Sequence, residues 1–158
     1  MYAPMALQNI GAEQMGSANA VMPAARQMFE RALLAGGVKR ALAAVTRRSR
    51  RLHVLAEVSA RIVNRHYLGA QTVALDRIVG TLDKADSFDC EFYPLRADSA
   101  ERWAGVAGAL LRGQTLPLVE LIQVGEQYYV SDGHHRISVA RAMGQAAIEA
   151  NVTRWKTA

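Results

Sequence analysis

Residues 128–136, YYVSDGHHR, decide the fold, because an apolar strand-like segment passes through a turn directly into the start of a helix. Asp132 is of a type that caps helices, and Gly133 can adopt backbone conformations that a side chain disfavours. The three amides after Gly133 would then lie unpaired at a helix N-terminus, a place that favours anions, with the Arg136 guanidinium beside them. This stretch therefore predicts a phosphate site.

The segments on either side of this turn alternate between strand and helix patterns. The predicted order is strand, loop, helix, hairpin, helix and strand, over residues 72–79, 80–99, 103–111, 116–130, 134–143 and 148–152. Gly125-Glu126 forms the hairpin turn, and Gly144 ends the second helix. We therefore expect a compact α+β domain over residues 69–158.

The N-terminal part of the sequence, residues 1–68, shows helical patterns and no strand pattern. Residues 1–22 carry few charges and are interpreted as a loose leader or a weakly held helix. A helix is predicted from Pro23 to an interruption at Gly36-Gly37, followed by helices over 38–45 and 52–63. Residues 23–68 thus form a predicted helical segment, with a domain boundary near Gly69.

Composition excludes several classes of protein. Apolar residues make up 51% and charged residues 21% of the 158, which is typical of a globular protein. No apolar run is long enough for a membrane span and no signal peptide is recognisable, so a cytoplasmic protein without membrane contact is expected. Cys90, the single cysteine, excludes an internal disulfide and a cysteine-cluster zinc site.

Positive charge is concentrated in the first half of the chain. Residues 1–65 hold ten Lys and Arg against three acids, whereas residues 66–158 hold nine against eleven. The run at positions 47–51 has four arginines that would wrap around a helix, and we predict duplex DNA backbone contact or a solvated helix end. These residues are Arg47, Arg48, Arg50 and Arg51.

The second half resembles the ParB/sulfiredoxin-like superfamily over about residues 70–154. The resemblance rests on a first strand VALDRI at 73–78, on LPLV at 116–119 after a helix, and on a Tyr-Val strand that enters a Gly-x-x-Arg helix. Partition proteins have Gly-Glu-Arg-Arg at this turn, so Gly133 and Arg136 match. Sulfiredoxins have Gly-Gly-Cys-His-Arg, so His135 matches too, but their reactive cysteine is replaced by His134.

The resemblance implies that the turn holds nucleotide phosphates, as it holds CTP in partition proteins and ATP in sulfiredoxins. A free-serine kinase branch uses a similar scaffold for phosphoryl transfer. Because the cysteine is absent, sulfiredoxin chemistry is not expected. Partition proteins continue into a helix-turn-helix module, and since this sequence stops at Ala158, partition-site reading of that kind is not expected either.

Several residues of the turn have two interpretations. Asp132 is an N-cap, a magnesium ligand beside the phosphates, or both. Of the adjacent His134 and His135, which diverge by ~100° on a helix, one is expected to donate to phosphate and the other to contact the framework. Arg136 is predicted to bind the anion, with a surface ion pair as the alternative.

Residues outside the turn complete the predicted site. Asp76 and Arg77 end the first strand near the place where the resemblance puts the nucleotide, or form an exposed ion pair. Ser138 lies one helical turn on and would reach phosphate, or is a surface hydroxyl. Trp103 and Trp155 are predicted to pack in the core or at its rim, and the acids at 83–91 to form a solvated loop rather than a cation site.

Three functions follow from these patterns. The first is a ParB-like nucleotide-binding protein that holds CTP or ATP with Mg²⁺ and whose basic helices contact DNA or a partner. The second is an enzyme, either a small-molecule phosphotransferase or a nuclease, with His134 or Asp132 as catalytic residues and Asp76 as a further candidate base. The third is an interaction module that oligomerises, for instance as a homodimer, through the apolar stripes of its helices.

Overall fold

The computed structural model describes residues 10–55, 62–83 and 86–157, in which three helices pack with one mixed sheet. The helices are α1 (Ile10–Val45), α2 (Ala100–Leu111) and α3 (His134–Ala142), and the strands are β1 (His53–Val54), β2 (Ile62–Ala74), β3 (Ile78–Thr81), β4 (Val119–Val124), β5 (Gln127–Asp132) and β6 (Ala147–Thr157). Within the described ranges the strand order is β1-β3-β5-β4-β6-β2. This architecture mixes helices with parallel and antiparallel strand pairs and is compatible with the predicted α+β class.

A single helix replaces two predicted helices and part of the predicted leader. Helix α1 is 36 residues long and runs through Pro23 and through Gly36-Gly37, so the predicted interruption is wrong. Of the two interpretations of residues 1–22, the helix is the one observed from Ile10 onward, while residues 1–9 lie outside the described residues. Ala25 and Phe29 are buried in the core, and this packing stabilises the helix beyond its local propensity. Gly36 allows a close approach rather than a break, since a Cβ there would lie 2.6 Å from Tyr93 Cβ.

The third predicted helix, over 52–63, is wrong at both described ends. Residues 53–54 form β1 beside β3, and β2 begins at Ile62; the intervening residues 56–61 lie outside the described residues. Strand β2 pairs with β6 along most of its length, and Gly69, the predicted boundary, lies inside β2. Residues with helical apolar spacing thus begin a strand instead, because the long partner strand β6 satisfies the backbone hydrogen-bonding groups of β2.

The second half follows the predicted order closely. The helix over 103–111, the hairpin, the helix that begins at His134 and the last strand are all confirmed as α2, β4–β5, α3 and β6. Gly125 in the hairpin turn and Gly144 after α3 have positive φ, at 59° and 72°. The predicted strand over 72–79 is divided: β2 ends at Ala74, a short 3-10 turn covers Leu75–Arg77, and β3 follows.

The core lies between the sheet and the three helices. Trp103 of α2 is fully buried and meets Phe29 of α1 edge to face at 5.7 Å, which confirms its predicted packing role. Trp155 on β6 lies at the rim of a second apolar cluster, and the Arg65 guanidinium covers its ring at 4.4 Å. Both tryptophans therefore stabilise the fold, as predicted.

The outer face of α1 is apolar and exposed. Leu34, Val38, Leu42 and Val45 follow at helical spacing and are each more than half exposed. A homodimer through this stripe stays a prediction. In the described part of the chain, no helix combines the length and the apolar character that crossing a bilayer requires.

Candidate functional site

A cavity of about 360 Å³ opens at the N-terminus of α3, between that helix, α2 and the loop after β3. We call it the α3 cavity. Its lining consists of Ser87, Phe88, Arg102, Val106, Asp132, Gly133, His134, His135 and Arg136. The structure therefore brings the whole predicted Asp132–Arg136 turn to one cavity wall.

Gly133 sets the geometry of the turn. It is the N-cap of α3 in the left-handed region, with φ of 101°, and a Cβ there would lie 2.6 Å from Val119 Cγ1. No side chain caps the helix, so the prediction that Asp132 is the N-cap is wrong. The first helical hydrogen bond of α3 runs from Ile137 N to Gly133 O at 3.0 Å, which leaves the three preceding amides at an uncapped helix start.

Arg136 braces the turn. Its Nη1 donates to the carbonyl oxygens of Pro117 at 2.5 Å and Leu118 at 2.7 Å, and its Nη2 pairs with Asp132 Oδ2 at 2.5 Å. The Arg136 side chain is only 17% exposed, while that of Asp132 is 70% exposed. Arg136 lines the cavity, but its terminal nitrogens bind the protein itself, so its first role is to fix the turn to the start of β4.

His134 is held by the end of β3. Its Nε2 is hydrogen-bonded to Thr81 Oγ1 at 2.7 Å, and the same hydroxyl lies 3.3 Å from Val130 O. The His134 ring also stacks against Phe88, with the ring centroids 6.2 Å apart. This is the framework contact predicted for one histidine of the pair.

His135 differs from His134 in that its Nε2 has no hydrogen-bond partner among the described residues. Its Nε2 is buried and, among the described residues, makes no hydrogen bond, and its ring meets Phe88 edge to face at 5.1 Å. Burial, followed by the nearby charges of Arg102 and His134, lowers the pKa of His135 to about 4. The imidazole is therefore neutral at pH 7, and its Nε2 is a buried polar atom without a hydrogen bond among the described residues.

Arg102 is a functional candidate that sequence reasoning missed. It lies on the exposed side of α2, one helical turn before Val106, and both residues line the α3 cavity. Within the described ranges its guanidinium makes no ion pair. The spacing i, i+4 puts Arg102 and Val106 on one face of α2, beside the buried stripe of Trp103 and Ala107, and this pattern is visible in the sequence. Nothing in the sequence, however, indicates that α2 lies next to the turn.

Three predicted ligands lie elsewhere. The parallel register of β3 and β5 puts the 3-10 turn that holds Asp76 and Arg77 at the start of β5, at the opposite end of the sheet from the α3 cavity. Arg77 forms an exposed ion pair there with Glu126 at 2.6 Å, rather than the ion pair with Asp76 that the alternative interpretation described. Ser138 is buried and its Oγ accepts from Trp103 Nε1 at 2.8 Å, so it is neither a surface hydroxyl nor part of the cavity lining.

The arginine run is not helical, and the prediction that it wraps around a helix is wrong. Helix α1 ends at Val45, Arg47 has a φ of 53°, and Arg51 forms an isolated β-bridge with Asp89. Arg50 turns inward, where Nη2 lies 3.0 Å from Asp89 Oδ2 and also pairs with Glu91. The exposed arginines of the run are Arg47, Arg48 and Arg51, so Arg50 is unsuited to nucleic-acid contact.

The acidic loop is partly internal rather than fully solvated. Asp89 is 1% exposed and accepts from the amides of Glu91 and Tyr93, at 2.9 and 3.0 Å, as well as from Arg50. The hydrogen bond from Arg50 lowers the pKa of Glu91. Burial raises the pKa of the Cys90 thiol, which lies beside this network and not in the α3 cavity lining. The loop is therefore built around a buried ion pair.

Metal binding at the turn would depend on one carboxylate. Asp132 is the acid in the cavity lining, and among the described residues no three His, Cys, Asp or Glu side chains converge as a metal cluster. Mg²⁺ is commonly held by one or two carboxylates together with the phosphates of its ligand. Asp132 fits that mode, in which the phosphates of a ligand and water molecules supply the other oxygens.

Comparisons of the chain with protein-family models, with curated proteins and with solved structures returned no match. The chemistry of the cavity itself therefore carries the functional argument. It combines an uncapped helix start, a neutral imidazole, an exposed guanidinium and one carboxylate, which together can bind a phosphate group and a phosphate-bound cation.

Proposed function

We propose that this protein binds a nucleotide, CTP or ATP, through phosphates held in the α3 cavity. The amides at positions 134–136 and the Arg102 guanidinium serve as donors, and Asp132 carries Mg²⁺ bound to the same phosphates. The resemblance to ParB/sulfiredoxin-like domains supports a nucleotide over other phosphate compounds, since Gly133 and Arg136 match the turn that holds nucleotides in that superfamily.

One observation carries the proposal: the uncapped start of α3 lines the same cavity as the Arg102 guanidinium, which makes no ion pair among the described residues. Backbone amides at a helix start and a guanidinium group are both donors from which a phosphate oxygen accepts hydrogen bonds. The helix dipole favours the negative charge of the same phosphate.

Binding rather than turnover is proposed. His134 is hydrogen-bonded to Thr81, and Asp132 is paired with Arg136. His135, with a pKa of about 4, is a weak base at pH 7, whereas general bases work best when their pKa lies near the operating pH. The phosphotransferase and nuclease alternatives stay predictions without a structural argument in their favour.

The test is isothermal titration calorimetry of CTP, ATP and GTP with Mg²⁺ on the full chain and on Arg102→Gln. A charge-assisted hydrogen bond to phosphate contributes roughly 1.5–3 kcal/mol, so Arg102→Gln is expected to weaken the bound nucleotide about tenfold or more. Arg136→Ala is unsuited as the test variant, because it would remove the brace to Pro117 and Leu118 as well as a charge.

Arg112→Gln is the matched control, since Arg112 is an exposed arginine at the opposite end of the same helix and lies outside the cavity lining. It removes the same charge and is expected to change the affinity less than twofold. Absence of binding by all three nucleotides, or equal loss in both variants, would refute the proposal.

A further inference from the structure

A second cavity lies on the other side of Phe88. Its volume is about 950 Å³, and it is bounded by the end of α1, by residues 48–54 and by the loop after β3. We call it the arginine cavity, after Arg40, Arg48 and Arg51 in its lining. Phe88 lines both cavities, so they adjoin across one buried ring.

The positive charge of the arginine cavity is not neutralised by the described part of the protein. Arg48 and Arg51 are exposed, and their side chains have no ion-pair or hydrogen-bond partner among the described residues. The Nη1 of Arg40 is buried and likewise lacks a partner within those residues. Asp83 and Asp86 also line the cavity, so the three guanidinium groups outnumber the two carboxylates.

The arginines are carried by a fixed framework. Arg50, between Arg48 and Arg51, is held by the buried Asp89 and by Glu91, and Cys90 N donates to Arg50 O at 2.9 Å. The isolated bridge between Arg51 and Asp89 ties the same segment to the loop. The backbone that presents the two exposed guanidinium groups is therefore pinned at its centre, which limits the conformational entropy lost on binding.

We propose that the two cavities form one binding groove for a single-stranded oligonucleotide, with one phosphate at the start of α3 and further phosphates on Arg48, Arg51 and Arg40. The inference rests on the proposed nucleotide site, because it takes the α3 cavity as the seat of the first phosphate. A chain of phosphodiesters matches a groove that has separate donor groups on both sides of Phe88, whereas a mononucleotide would occupy one side.

The experiment compares two probes on the full chain. Fluorescence anisotropy reports binding of a 5′-phosphorylated, 3′-labelled strand of about six thymidines, a length within the usual site size for single strands. Calorimetry reports binding of the mononucleotide. The test variant is Arg48→Gln/Arg51→Gln, and the control Arg31→Gln/Arg112→Gln removes the same charge from exposed positions outside both cavities.

The test variant is expected to bind the strand roughly tenfold more weakly at low salt and to keep mononucleotide affinity within about twofold. Two lost phosphate contacts should also reduce the slope of log K against log salt by about 1.4. The control should change strand affinity by less than about threefold, and excess mononucleotide should displace the strand from the wild type.

Equal losses in the two double variants would overturn the inference. So would a strand that stays bound at saturating mononucleotide, because the two ligands would then not share the α3 cavity. Failure of the proposed function would give a different result: calorimetry would detect no mononucleotide binding by the wild type, whether or not anisotropy detects binding of the strand.

Discussion

The α3 cavity and the arginine cavity share Phe88 as a wall but hold their donors in different ways. In each cavity, one arginine of the sequence motif binds the protein itself. Arg136 binds carbonyl oxygens and Asp132, and Arg50 binds Asp89 and Glu91. The α3 cavity is left with backbone amides, a neutral His135 and one guanidinium. The donors left in the arginine cavity are the guanidinium groups of Arg40, Arg48 and Arg51. Phosphate binding there should therefore depend far more on the salt concentration than binding in the α3 cavity does.

The comparison shows that an arginine in a motif predicted to bind phosphate can instead bind the protein itself. A guanidinium offers five donors in a fixed fork, which suits it equally to phosphate and to a cluster of carbonyl oxygens. The local sequence does not specify whether a phosphate or a cluster of carbonyl oxygens lies closer to the guanidinium in the folded protein. Separating the two roles therefore requires variants that affect stability and binding differently.

The largest effect is expected from Gly133→Ala. Alanine would be strained at a φ of 101°, and its Cβ would overlap Val119, so a loss of roughly 3–5 kcal/mol in the free energy of unfolding is expected. Gly144→Ala is the matched control: its φ is 72° but nothing lies within 4 Å, so strain alone should cost about 1 kcal/mol. Urea denaturation measures both, and equal losses would contradict the close approach of Gly133 to Val119.

A smaller loss is expected from Arg50→Gln, which leaves the buried Asp89 without its cation. Asp89 keeps the amides of Glu91 and Tyr93, so we expect about 2–3 kcal/mol rather than the full cost of an isolated buried charge. Arg47→Gln, at an exposed neighbouring position, should cost less than about 0.5 kcal/mol in the same urea experiment. An Arg50→Gln protein as stable as Arg47→Gln would show that Arg50 is available to ligands.

The pH dependence of stability tests the state of His135. Its pKa is about 4 in the fold against an ordinary value of 6.5, so between these values the unfolded chain binds the additional proton. This contribution to stability is present above about pH 6.5 and is lost progressively as the pH falls toward 4. Urea midpoints measured across that range should fall less steeply for His135→Gln than for the wild type; identical slopes would mean that the imidazole is not buried as a neutral group.

The smallest effect concerns Ser138, which the sequence predicted as a phosphate ligand. Ser138→Ala leaves the buried Trp103 Nε1 without its acceptor, at an expected cost of about 1–2 kcal/mol. Nucleotide affinity, measured by calorimetry well below the unfolding temperature, should not change. A selective loss of affinity with unchanged stability would restore the original prediction for Ser138.

Much of the second half could be predicted because its signals are local. The turn at 125–126, the glycine that ends α3 and the alternation in β6 each specify conformation within a few residues. The predictions for the N-terminal half were wrong because its structure depends on contacts between residues that are distant in the sequence. Burial of Ala25 and Phe29 carries α1 through Pro23, and the pairing of β2 with distant β6 overrides a helical pattern at 62–63.

The candidate site divides in the same way. The sequence identified the Asp132–Arg136 turn because strand, glycine and helix follow one another in the chain. It missed Arg102 and Phe88, which tertiary packing brings to the turn, and it placed Asp76 at the wrong end of the sheet because the register of β3 against β5 is not a local property.

The most direct test of the central claim is a ¹⁵N NMR titration of the full chain with the nucleotide that binds best, observing backbone amides and imidazole nitrogens. We predict that the largest shifts occur at the amides of His134, His135 and Arg136, because these are the donors at which the phosphate would bind. Shifts concentrated at Asp76 and Arg77, with the α3 cavity unchanged, would contradict the account.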